Sequence, residues 1–64
     1  MNINANGPEG NAFAIMGTVR SLLKQVGRSA EWPDIQVRMI AGDYNNLCDE
    51  AEAATHGVIC VTGR

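Results

Sequence analysis

The residues most able to do chemistry in this chain are Cys48, His56 and Cys60, its two cysteines and its one histidine. They stand eight and four residues apart. Zinc takes about four ligands, commonly in close pairs, and no Cys-x-x-Cys pair is present. A thiol nucleophile needs a base beside it, itself held by a third group. With one histidine the choice is small, and neither His56 nor Cys60 sits in an evident cleft. Both cysteines fall on apolar stretches, where a free thiol packs as a small hydrophobe. His56 falls in the last turn of a helix, where a cation suits the dipole. Among the carboxylates, Glu50 and Glu52 are two residues apart and cannot share a helix face, which makes them a poor acid–base pair. These residue types predict reduced thiols, no metal, no cofactor and no enzymatic activity.

Binding chemistry is better represented. Gly7-Pro8-Glu9-Gly10-Asn11 is the densest turn signal in the chain, and it precedes a helix. A glycine-bearing loop at a helix start can hold an anion such as phosphate. This loop is neither a P-loop nor a dinucleotide fingerprint, and Glu9 would repel an anion. Its plain alternative is a capped, demanding turn. Arg20, Lys24 and Arg28 recur every four residues along the outer side of the helix that follows. They suit phosphate, an acidic protein surface or simple solvation. Trp32 lies in a connection beside Pro33, as an interface anchor or as a lid on the core. Asp43, Asp49, Glu50 and Glu52 make a later helix acidic.

The elements that position these residues follow from periodicity. Ala12, Phe13, Ile15, Met16, Val19, Leu22, Leu23 and Val26 recur at helical spacing. They place the main helix at roughly 11–26, with Asn11 as N-cap and Gly27 as C-cap residue. Gly17 inside it costs about 1 kcal/mol against alanine, which close packing of another element would explain. Residues 33–41 are ambiguous. Ile35, Val37 and Met39 alternate as in a strand, while Pro33, Ile35, Met39, Ile40 and Gly42 also suit a helix with its start and stop. Asp43 caps a further helix with Tyr44, Leu47, Cys48, Ala51 and Ala54 on one stripe, ended by Gly57. Val58-Ile59-Cys60-Val61-Thr62 reads as a buried strand. Its pairing partner is either Asn2-Ile3-Asn4-Ala5 or the same strand of a second subunit. The core is expected at Phe13, Met16, Val19, Leu23, Tyr44, Leu47, Ala51, Ile59 and Val61.

Composition narrows the setting. The chain has 64 residues, room for one domain at 1–64, and a net charge of −2. Five basic against seven acidic residues argue against nucleic acid as the partner. No apolar run approaches a membrane span, and Met1-Asn2-Ile3-Asn4 has no signal-peptide pattern, so the expected compartment is the cytoplasm. So short a chain buries a modest core, and self-association as a dimer is expected to supplement it.

Gly7-Pro8-Glu9-Gly10-Asn11-Ala12-Phe13-Ala14-Ile15-Met16-Gly17, followed by Gly42-Asp43-Tyr44 and Leu47, resembles a family of small uncharacterised phage and prophage proteins. That family has GNAF-type and GDY helix starts, and a glycine before a terminal strand. The resemblance covers roughly residues 7–57. It implies helix over 33–41 and a small accessory protein in a bacterial cytoplasm, of a kind that often acts by binding host factors. The last residues from His56 to Val61 are more apolar than the family pattern.

The fold expected is α+β: short strand, three helices, terminal strand, with the helices packed on one face of a small sheet. The function expected is that of a non-enzymatic phage or prophage accessory protein that binds a bacterial host protein as an inhibitor or adaptor, with counter-defence as one such role. The binding residues would be Gly7, Glu9, Gly10, Asn11, Arg20, Lys24, Arg28 and Trp32. The alternative is an oligomeric binder of a nucleotide-type molecule at the helix start after residues 7–11.

Overall fold

In the computed structural model, which describes residues 1–64, Asn11 opens the first helix with its side chain. Its backbone is extended, and its Oδ1 accepts the Ala14 N–H at 2.8 Å. Helix α1 then runs Ala12–Gln25 and buries Ile15, Val19 and Leu23, which recur every fourth residue on one face. It ends in a Schellman motif. Gly27 takes φ 75°, its N–H donates to the Lys24 carbonyl, and the Arg28 N–H donates to the Leu23 carbonyl. A residue with a side chain resists that left-handed conformation, and glycine does not.

Helix α2 spans Trp32–Ile40 and α3 spans Tyr44–Ala54. The ambiguous segment is therefore helical. Pro33 lies in its first turn, where a missing N–H is harmless. Ile35 and Met39 are buried one turn apart, while Val37 is 63% exposed, which no alternating strand would allow. Asp43 caps α3 by accepting the Asn46 N–H at 2.9 Å. Leu47, Cys48, Ala51 and Ala54 form its buried stripe. The left-handed residue that ends α3 is His56, at φ 53°, with Gly57 following at 82°. His56 thus sits just past the helix, not in its last turn.

Strands β1 (Asn2–Asn4) and β2 (Cys60–Thr62) pair in parallel, with Asn2 opposite Cys60, Ile3 opposite Val61 and Asn4 opposite Thr62. The terminal strand thus finds its neighbour within its own chain, and the need for a second subunit's strand falls away. Both strands are shorter than the residues 2–5 and 58–62 suggested. Only Ile3 and Val61 face the helices, and their flanking residues are exposed. A sheet of two strands has one covered face, so an unbroken apolar run cannot be buried throughout. Val58 and Cys60 are exposed for that reason.

One apolar cluster of 12 residues draws on both strands, all three helices and the turn before β2. Phe13 is not in it: at 85% exposed, it points to solvent from the first turn of α1. Met16 and Tyr44 pack at the margin of the core. Ile3, Ile15, Ile35, Met39, Cys48 and Ala54 belong to it beyond the expected set. Gly17 lies on the open side of α1, with no atom within 4 Å of where a Cβ would stand, so no packed element explains it. No helix is long and apolar enough to cross a membrane.

Candidate functional site

The Gly7–Asn11 loop is occupied with the fold. Pro8–Gly10 makes a single 3-10 turn. Gly10 is buried, and a Cβ there would meet the Asn4 carbonyl oxygen at 2.3 Å and the Ala5 backbone at 2.6 Å. The Gly10 carbonyl accepts the Tyr44 hydroxyl, which ties the loop to the start of α3. Asn11 caps α1 and also donates from Nδ2 to the Pro8 carbonyl at 3.0 Å. Glu9 is exposed. These contacts account for Gly10 and Asn11 without an anion.

The basic residues separate into two groups. Arg28 lies beyond α1, past the Gly27 reversal, and is not part of the helix stripe. Its Nε and Nη2 donate to the two carboxylate oxygens of Glu31, each at 2.8 Å, and its Nη1 donates to the Ala54 carbonyl at 2.9 Å. That hydrogen-bonded pairing raises the Arg28 pKa and lowers that of Glu31. Arg38 meets Glu50 at 3.4 Å, and Arg64 meets Asp49 at 2.8 Å and Glu52 at 3.7 Å. Glu52 also accepts the Val61 N–H at 2.9 Å. The acidic face of α3 is in this way largely committed to ion pairs within the chain.

Arg20 and Lys24 form no ion pair. Both are exposed on α1, and the Gly27 reversal brings the next segment back beside them. Together with Ser21, they form one wall of a groove of about 550 Å³ whose other wall is Ser29, Trp32 and Pro33. Trp32 is half-buried and packs against the core, so it is both a lid and one side of the groove. Its neighbours there are two cations and two hydroxyls, donors suited to an anionic group, with an indole suited to an apolar or planar one. Helix α1 rises about 20 Å from end to end. The Gly7–Asn11 loop lies at its start and the groove at its far end, so the expected binding residues divide into two places. Ser29 and Pro33 escaped sequence reading because only the reversal at Gly27 brings them to the basic side chains, and Ser21, next to Arg20 on α1, because a lone helical serine carries no signal of its own.

A second, apolar groove of about 360 Å³ lies between the end of α1 and the turn after α3, lined by Leu22, Val26 and Val58 with Arg28, Thr55 and His56. Cys48 is buried and Cys60 exposed, both as free thiols. They do not gather with His56, and no three His, Cys, Asp or Glu side chains converge on one point.

Compared with known proteins, the chain matches no family model, no curated protein and no solved structure.

Proposed function

We propose that this chain is a non-enzymatic accessory protein that acts by covering an acidic surface of a bacterial host protein. The phage and prophage setting comes from the GPEGNAF and GDY resemblance. The observation that carries the reading is the pairing state of the cations. Arg28, Arg38 and Arg64 are each matched to carboxylates, while Arg20 and Lys24 stand unmatched beside Trp32. Unpaired surface charge does little for the fold, and arginine and tryptophan are frequent binding anchors. The docking face is therefore the groove of Arg20, Lys24 and Trp32. Gly10 and Asn11 act through the fold, Gly7 and Glu9 lie with them at the other end of α1, and Arg28 belongs to the α2 entry.

The test is affinity enrichment from bacterial lysate with quantitative mass spectrometry, using the parent chain and the Arg20→Glu/Lys24→Glu double variant. The reading requires a host protein that the parent enriches and the double variant loses, followed by a binary complex of the purified pair. Equal enrichment by both chains overturns it. Sedimentation of the parent alone separates this reading from a dimer, in which the exposed Phe13, Val37 and Ile40 would be covered by a second copy.

A further inference from the structure

We infer that the partner element seated on this protein is an acidic amphipathic helix, laid along the outward face of α1. This inference rests on the reading of Arg20 and Lys24 as a docking face, and extends it to the whole helix.

Three features of that face serve nothing within the chain. Phe13 is the most exposed large apolar side chain, at 85%. Gly17 lowers helix stability relative to alanine, yet nothing beyond its own stretch of helix comes within 4 Å of where a Cβ would stand. Arg20 and Lys24 have no carboxylate partner. All four are exposed members of α1. Their spacing is four, three and four residues, which holds them within about 60° of arc on a helix of 3.6 residues per turn. The face they make runs about 16 Å, on the side away from the buried Ile15, Val19 and Leu23.

That spacing is the seam by which one helix meets another. Each residue has a part in such a contact. Gly17 lets a second backbone come close, because nothing projects between the two. Phe13 supplies a large apolar knob one turn earlier. Arg20 and Lys24 then select by charge, favouring glutamate or aspartate on the incoming helix and rejecting lysine and arginine. A second copy fits poorly. A two-fold contact of this face with itself brings four cations into one seam. Of the carboxylates, Asp49, Glu50 and Glu52 are held by Arg64 and Arg38 and Asp43 caps α3, and the exposed Glu9 and Asp34, which have no ion pair, both lie outside α1.

The experiment is amide-resolved NMR titration with three synthetic peptides. One is a side-chain-bridged helix with leucines along one seam and glutamates on its flanks. The second is its Glu→Lys counterpart, and the third a proline-interrupted isomer of the acidic peptide. The inference requires that only the acidic helix shift the amides from Phe13 to Lys24. Gly17→Leu should then weaken binding about tenfold or more while raising the melting temperature, and Phe13→Ser should weaken it with the melting temperature unchanged. Equal binding by Gly17→Leu overturns a close helix contact. Equal binding by the proline-interrupted peptide overturns the helix but leaves an acidic partner at Arg20 and Lys24 standing. No response to the acidic helix overturns this inference alone, since the lysate comparison of charge-reversed chains tests the other reading. A dimer in sedimentation with Phe13–Lys24 amides protected overturns it in favour of a second copy.

Discussion

The Glu52 carboxylate accepts the backbone N–H of Val61 at 2.9 Å. Val61 lies in β2 between Cys60 and Thr62, the residues that face β1 in the ladder, so its N–H points away from β1 toward the open edge. An exposed strand edge invites a further strand, and here a side chain of α3 occupies the donor. Glu52→Ala removes a charge-assisted bond to a half-covered N–H and should cost about 1–3 kcal/mol in denaturant unfolding. Amide exchange at Val61 should quicken at the same time. Unchanged exchange there would show that the contact is not formed in solution.

Leu23 and Phe13 make a contrasting pair on one helix. Leu23 is 1% exposed and Phe13 is 85% exposed. Leu23→Ala should lose about 2–5 kcal/mol, whereas Phe13→Ala should lie within about 0.5 kcal/mol of the parent. Chemical unfolding of the two variants side by side checks the assignment of the core.

Two glycines should respond in opposite directions to alanine. At Gly10 the new methyl group collides with the backbone of Asn4 and Ala5, and even the lesser overpacking of a core costs about 1–3 kcal/mol. At Gly17 it meets open space, and the helix gains up to about 1 kcal/mol. Melting temperatures that fall for Gly10→Ala and rise for Gly17→Ala are the expected result.

Tyr44 supplies a pH signature. Burial, and secondarily the neighbouring Cys48 thiol, raise its phenol above the ordinary value of 10.0. Ionisation also removes the proton it donates to the Gly10 carbonyl. A raised folded-state pKa means the stability contribution is complete below the ordinary tyrosine range and fades as pH climbs through the folded value. The protein should lose stability in strong alkali, and Tyr44→Phe should flatten that dependence. Tyr44 is the chain's one tyrosine, so ultraviolet titration of tyrosinate reads it directly. A midpoint at or below 10.0 would contradict the burial.

Trp32 and Arg20 share the groove and differ in how deeply they enter the fold. Arg20→Glu should change stability by less than about 0.5 kcal/mol, and Trp32→Ala, which uncovers core, should cost about 1–3 kcal/mol. With a purified partner, both should weaken binding by more than about 1 kcal/mol, as calorimetry would show. If only Asp49→Ala and Glu50→Ala weaken it, the docking face is α3.

Local chemistry was the legible part of this fold. Asn11, Gly27, Asp43 and Pro33 announce helix boundaries by what their side chains or backbones can do, and the structure uses each of them so. Periodicity failed where two patterns overlap, as at Ile35, Val37 and Met39, because apolar Val37 fits a strand yet is left in solvent on a helix. It failed again at Phe13, since hydrophobicity does not say which apolar residue a helix turns outward. The site was half legible. Arg20 and Lys24 share a face by spacing alone. Their companions Ser29, Trp32 and Pro33 arrive by a tertiary reversal, and Arg28 leaves the stripe because that same reversal comes one residue before it.

The parallel pairing of β1 with β2 has a mechanical side. The strands point the same way, and their register joins residues 58 positions apart, Ile3 to Val61. Tension applied through the segments flanking them pulls β1 backward and β2 forward along one line. The ladder bonds, including Cys60 N–H to Met1 and Ala5 N–H to Thr62, are then loaded together in shear instead of parting one after another like a zip. The helices lie between the strands in sequence and are shielded from that tension until the ladder gives way, so the smallest element of the fold would bear the force for the rest.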